Sequence, residues 1–104
     1  MDINRINDAI KAKRVNITKH ALEEMENDEI FARDLFYAIM FGEVIEDYPD
    51  DFPFPSALIF GVDESKRPIH IVVAYSEEQK MAFIITTYVP DPFRWVDFRE
   101  RRDV

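Results

Sequence analysis

The stretch that decides the fold is Ile69-His70-Ile71-Val72-Val73-Ala74-Tyr75, followed after a polar turn by Met81-Ala82-Phe83-Ile84-Ile85-Thr86-Thr87-Tyr88-Val89. Both segments are rich in β-branched and aromatic residues and are bounded by polar or proline residues, which reads as a hairpin of two strands. Side chains alternate between the faces of a strand, and directly paired residues share a face. Ile69, Ile71, Val73 and Tyr75 share one face of the first strand; Met81, Phe83, Ile85, Thr87 and Val89 share one face of the second. Pairing these bulky sets gives one strongly apolar face for helices to cover. His70, Val72 and Ala74 then fall on the opposite, more polar and open face, with Ala82, Ile84, Thr86 and Tyr88. This register sets His70 beside Thr86 or, one step away, beside Tyr88, with opposed Cβ atoms about 5 Å apart. A histidine beside a hydroxyl on an open face can transfer a proton; it can also simply end a strand by bonding its neighbour.

Working outward, the pattern before this hairpin is helical and then extended. Ile3, Ile6 and Ile10 line one face of a helix over residues 3–12. Val15 and Ile17 alternate with polar residues in a short extended link. Thr18 can cap a second helix, whose inward face is Ala21, Leu22 and Met25 and which Asn27-Asp28 ends. Phe31, Leu35 and Ile39 repeat at i+4 in a third helix over 31–41, with Gly42 placed to close it in a left-handed turn. Residues 43–47 read as a first strand. Pro49, Pro53 and Pro55 make a rigid loop, because proline cannot donate to a ladder. Residues 57–62 form a second strand, 69–75 a third and 81–89 a fourth, which Pro90-Asp91-Pro92 stops. The expected fold is α+β: two to three N-terminal helices on one face of a four-stranded, mainly antiparallel meander, in a single domain over 1–104.

Composition bounds what such a domain can do. The chain has 104 residues, a net charge of −8, 47% apolar residues and nine Phe, which suits a folded domain with one core rather than a disordered chain. With no cysteine there is no disulfide framework, thiolate metal site or thiol nucleophile. The apolar runs are too short to span a membrane, and the N-terminus lacks the basic-then-apolar pattern of a secretory signal. A cytoplasmic protein without a membrane partner is expected.

The charge is unevenly spread. Residues 1–20 carry five bases against two acids, residues 21–65 one base against thirteen acids, and residues 66–104 seven bases against six acids. The last stretch is Arg-rich, with Arg94, Arg99, Arg101 and Arg102. It reads either as a frayed basic tail or as half of an anion site built from both termini. A surface divided between an acidic helix side and a neutral or basic face around His70 follows.

His20 falls in the first turn of the second helix, where the positive end of the helix dipole disfavours imidazolium. A neutral imidazole there can act as a general base, or it can be an ordinary surface residue. Two histidines fifty residues apart make no metal ligand set, and the acids at Asp47, Asp50 and Asp51 lack calcium-loop spacing. No metal or cofactor is expected. No phosphate-binding loop, dinucleotide fingerprint or hydrolase elbow occurs.

Several strings carry a resemblance. They are Ile17-Thr18-Lys19-His20-Ala21 with Met25, Gly42-Glu43-Val44-Ile45-Glu46-Asp47-Tyr48, and Pro55-Ser56 with Leu58 and Gly61. The others are Arg67-Pro68-Ile69-His70-Ile71-Val72, and Thr86-Thr87-Tyr88-Val89-Pro90-Asp91-Pro92 with Trp95. Over about residues 3–95 the chain resembles domain-of-unknown-function family 4258. Members often neighbour a zinc-finger antitoxin of the MqsA kind. By that context the family resembles the RelE and MqsR messenger-RNA-cleaving toxins, which implies a RelE-like or barnase-like fold and a metal-independent endoribonuclease of a bacterial toxin–antitoxin system. The resemblance implies His20 and His70 as base and acid in either order, and Thr86 and Tyr88 as orienting or donating groups. Lys19, Arg67 and Arg94 would hold phosphate, and Trp95 would stack on a base. Trp95 reads equally as a core anchor after the Pro-Asp-Pro turn. The implied partners are an RNA substrate and an antitoxin or other protein. The rival is a non-catalytic module that binds a partner protein through its acidic middle segment and Pro-rich loop.

Overall fold

The computed structural model of the chain describes residues 1–103. Each helix begins where a side chain can satisfy its free N–H groups. In α1 (Ile3–Lys11) the Asp2 carboxylate accepts from the Asn4 N–H at 2.9 Å. In α2 (Lys19–Asn27) the Thr18 hydroxyl accepts from the Ala21 N–H at 3.1 Å. Before α3 (Ala32–Met40) the Asp34 carboxylate reaches back to the Phe31 N–H at 2.9 Å. The helices bury Ile6 and Ala9, Ala21 and Met25, and Leu35, Ala38 and Ile39 against a single sheet face. On that face lie Ile59, Ile69, Ile71, Val73, Tyr75, Ala82 and Ile84.

The sheet contains β1 (Val15–Ile17), β2 (Glu43–Tyr48), β3 (Ser56–Val62), β4 (Pro68–Ser76) and β5 (Met81–Tyr88), in the order β1-β5-β4-β3-β2. The α+β class and the helices on one face match the sequence reading. The four-stranded meander does not match in detail, because the link at Val15–Ile17 is itself a strand. It pairs parallel to β5 and makes the sheet five-stranded and mixed. The open edge of β5 presents N–H and C=O groups that need partners, and the link supplies them. The Thr18 hydroxyl also donates to the Ile85 carbonyl at 3.1 Å, fixing the start of α2 against β5.

The register of the decisive hairpin holds for half its length. His70 faces Tyr88, Ile71 faces Thr87 and Val72 faces Thr86, but Val73 faces Ile84. Ile85 is the extra residue of a β-bulge, which reverses the alternation of β5 beyond it. Ala82 and Ile84 therefore turn to the helices, while Phe83 stacks on Phe54, centroids 5.3 Å apart, and Ile85 is exposed. The continuous odd-numbered face expected of β5 is thus corrected. Leu22, expected inward, is 53% exposed because Ala21 and Met25 already fill the inward face of α2.

Gly42 does not close α3 in a left-handed turn, since no glycine has positive φ. Its role is steric, as is that of Gly61. A Cβ on either residue would collide with the Ala38 carbonyl of α3, and at Gly42 also with the Phe60 carbonyl. The helix rests directly on the backbone of β3.

The second sheet face is not open. Residues beyond Pro92 turn back as a small ribbon, β6 (Trp95–Val96) paired with β7 (Glu100–Arg101). Trp95 and Phe98 press on His70 and Phe60. The basic tail is thus an ordered layer, on the opposite face from the basic residues of α1.

Gly61→Ala tests the contact between α3 and β3. Adding a methyl against a rigid backbone carbonyl should destabilise by about 1–3 kcal/mol in denaturant titration, whereas Leu22→Gln on the exposed side of α2 should change stability by less than about 0.5 kcal/mol.

Candidate functional site

Three adjacent strands place Phe60, His70 and Tyr88 in one cross-strand row on the second face. His70 is fully buried. Its main chain is held by the Thr87 hydroxyl, which donates to the His70 carbonyl at 2.8 Å. Its ring lies edge-on to Phe60, Tyr88 and Trp95, the last with centroids 4.5 Å apart. Nε2 stands 2.6 Å from the Phe98 carbonyl, and Nδ1 stands 3.2 Å from the Tyr88 hydroxyl. A carbonyl can only accept, so Nε2 carries the proton. In the neutral ring Nδ1 is then an acceptor, and Tyr88 donates to it.

Electrostatics agree with that assignment. Burial lowers the pKa of His70 below the ordinary 6.5, against the opposing pull of the Phe98 carbonyl and Glu46. Burial likewise raises the Tyr88 phenol above its ordinary 10.0, so it keeps its proton at neutral pH. The pair at pH 7 is a neutral imidazole accepting from a neutral phenol.

Tyr88 lines a concave cavity of about 740 Å³. Arg94, Arg101 and Arg102 also line it, with Trp95 and, at the rim, Asp91 and Phe93. Arg101 lies over the Trp95 ring, 4.8 Å from its centroid, and makes a two-oxygen contact with Glu46 at 2.9 and 3.1 Å. Glu46 also accepts from the Tyr48 hydroxyl. Burial alone would raise the Glu46 carboxyl, but Arg101 and Tyr48 outweigh it and hold it below 4.5. Arg94 is 82% exposed, with only a loose 3.9 Å approach to Asp91. Arg102 donates to the Pro92 carbonyl at 3.2 Å. Such a wall of guanidinium groups can receive an anion.

The expected site residues divide between the two sides of the sheet. His70, Tyr88 and Trp95 are in mutual contact, and Arg94 shares their cavity. Thr86 lies on the same face one row away, opposite Val72. His20 and Lys19 are exposed on α2, in the helical layer, so the sheet stands between His20 and His70. Arg67 is taken up structurally. It donates to the carbonyls of Asp28 and Glu29 at 3.0 and 3.1 Å, closing the end of α2, and pairs with Asp63 at 3.0 Å. The Trp95 ring, 5% exposed between His70 and Arg101, offers little free surface to a base.

Glu46, Tyr48, Phe98, Arg101 and Arg102 enter the site without having been given an individual role from the sequence. Arg101 and Arg102 were signalled by the Arg-rich ending, and Glu46 and Tyr48 lay in the Gly42–Tyr48 string; Phe98 had no signal. Among the described residues no group of three or more His, Asp or Glu could hold a metal ion, and no helix is long and apolar enough to cross a membrane.

Fold and cavity together define an α+β domain in which a buried histidine backs a half-buried tyrosine at an arginine-lined hollow. Residues 17–89, more than half of the chain, match the model of the family described as Domain of unknown function (DUF4258), and the chain belongs to that family. No curated protein and no solved structure matches it.

The pH dependence of stability tests the state of His70. Because its folded pKa lies below 6.5, the unfolded chain binds a proton that the folded chain refuses. Stability is therefore full above the ordinary histidine value and declines as pH falls below it. The lowered Glu46 carboxyl adds its own loss in a separate window, only as pH falls below 4.5. Between about pH 7.5 and 5.5, denaturation midpoints should drop for the native chain and drop less for His70→Gln. Equal drops would assign the acid sensitivity elsewhere.

Proposed function

We propose that the chain is a metal-independent RNA-cleaving domain whose reaction centre is Tyr88, backed by His70 and faced by Arg94, Arg101 and Arg102. The observation that carries this reading is the Tyr88 hydroxyl, set between His70 Nδ1 at 3.2 Å and the arginine-lined cavity. A ribose 2′-hydroxyl at that point gives its proton to the Tyr88 oxygen as Tyr88 passes its own to Nδ1. The 2′-oxygen attacks phosphorus, the bond to the 5′-oxygen breaks, and that oxygen takes a proton from water. The products are a 2′,3′-cyclic phosphate and a 5′-hydroxyl, and His70 returns its proton to solvent through Tyr88. The guanidinium groups hold the extra negative charge of the pentacoordinate phosphorus. The likeness of the family to RelE and MqsR toxins supports the same reaction class. It also supports a bacterial toxin–antitoxin setting, with an antitoxin as protein partner and the cytoplasm as the compartment. His20, Lys19 and Arg67 have no part in this centre.

The second reading is a non-catalytic module. Phe93, 86% exposed on the rim beside three arginines, suits an acidic partner segment with an apolar anchor.

Purified protein incubated with single-stranded RNA should release cyclic-phosphate ends. Tyr88→Phe should lower kcat by about 100-fold or more, and His20→Ala should leave it unchanged. Arg94→Ala and Arg102→Ala should each cost about tenfold in kcat/KM. RNA left intact by the native chain, or cut equally by Tyr88→Phe, would exclude the catalytic reading in favour of the binding module.

A further inference from the structure

The ribbon is anchored to the sheet by several side chains and one main-chain carbonyl, and its turn is conformationally costly. Asp97 and Phe98 sit at φ 52° and 61°, left-handed backbone that non-glycine residues avoid. Phe98, Arg99 and Arg101 hold this turn down. The Phe98 carbonyl takes the His70 N–H, and the Phe98 ring stacks on Phe60 with centroids 6.2 Å apart. Arg99 lies over the Phe60 ring at 4.7 Å and pairs with Glu43, and Arg101 pairs with Glu46. A costly turn held by several anchors persists only while the anchors hold.

The turn also decides which way the His70–Tyr88 hydrogen bond runs. Without the Phe98 carbonyl, Nε2 loses the protein acceptor that holds its proton. With the ribbon lifted the ring also meets water, so its proton is no longer fixed on Nε2 and spends part of its time on Nδ1, which then donates to Tyr88 instead of accepting from it. We propose that residues 95–101 are a positioning strap: the Phe98 main-chain carbonyl selects the His70 tautomer that can take a proton from Tyr88. Because Trp95 and Arg101 come from the same ribbon, the proton acceptor and one wall of the cavity assemble together when the strap is seated. The charged and titratable groups around His70 are Tyr88 of β5, Glu46 of β2 and Arg101 of the strap. Apart from the strap none of them reaches Nε2, so none can replace the carbonyl. The strap lies beyond the residues 17–89 that the family model covers. Its effect on catalysis rests on the reading of Tyr88 as the reaction centre; its effect on His70 does not.

The test is Phe98→Ala/Arg99→Ala in the full chain, which removes two anchors and touches none of the residues lining the cavity. Nitrogen-15 NMR reads the His70 tautomer. The emission of Trp95, the only tryptophan, reads strap seating, and far-UV circular dichroism reads the fold. The native chain should show the Nε2–H form alone and a blue-shifted emission. The double variant should keep its secondary structure, mix both tautomers, shift Trp95 emission to the red and lower kcat more than it raises KM. Phe98→Tyr/Arg99→Lys should restore the native signatures. Native signatures in the Ala variant would overturn the proposal. If the Ala variant loses its fold, Glu43→Gln serves as the milder variant, expected to move both signals part of the way in a folded chain; no movement of either signal there would also overturn the proposal. If the native chain cuts no RNA, the functional reading fails while the tautomer and emission still decide the strap.

Discussion

The bond from His70 Nε2 to the Phe98 carbonyl, at 2.6 Å, ties the sheet to the layer that covers it. It is made by a fully buried imidazole, and burial is what keeps that imidazole neutral. A solvent-exposed histidine at this place would exchange its proton between both nitrogens and with water. Here the donor side is fixed by a carbonyl that cannot donate, so the acceptor side is fixed too. Among the described residues no buried side-chain polar atom lacks a partner, so the buried histidine leaves no unsatisfied group behind.

The helical face solves a different problem. Ala38 brings α3 against β3 so closely that only glycine fits at Gly42 and Gly61. That close approach holds the sheet from one side, while Thr18 and Arg67 fasten the two ends of α2, one to β5 and one to the turn between β3 and β4. The Asp28 carboxylate also accepts from the Val89 N–H at 2.9 Å, where β5 leaves the sheet. The end of β5 that presents Tyr88 is therefore clamped from the helical side and covered from the other. A hydroxyl so held loses little further entropy in meeting a substrate.

Much of this was legible in the sequence, for reasons that differ by residue. The helices follow from apolar spacing and, for α2, from Thr18, because local periodicity and capping act over three or four residues. The His70–Tyr88 neighbourhood follows from pairing the bulky odd-numbered faces of the two strands, and it survives because the bulge at Ile85 lies between this pair and the turn. The same bulge defeats the reading of Met81 and Phe83, since one inserted residue reverses every face beyond it and leaves no mark in composition. The extended link at Val15–Ile17 was legible from its alternation, but its pairing with β5 was not, and the ribbon was not legible at all. Segments of three and two residues carry too little pattern to show a partner, and their pairing is decided by which backbone groups elsewhere need partners. The Arg-rich ending marked the ribbon as charged but could not show that Arg99 and Arg101 would find Glu43 and Glu46, more than fifty residues earlier.

Those two pairs also settle how a chain of net charge −8 can present a basic hollow. The acids of β2 meet the arginines of the ribbon, so part of the acidic middle segment is neutralised beside the cavity. Around the hollow itself, Arg94, Arg101 and Arg102 stand against Glu46 and Asp91, three cations to two anions. The remaining excess is small, and beyond roughly 8 Å salt screens the acidic remainder of the surface. An anion that reaches the cavity meets guanidinium donors at close range, whereas a long polyanion gains nothing from the rest of the molecule. For the proposed function, the charge distribution suits contact with one or two phosphates, not tracking along an extended backbone, whose affinity grows with each phosphate neutralised. A local site of this kind depends on orientation more than on field strength, and orientation is what the buried His70 and the layer above it supply.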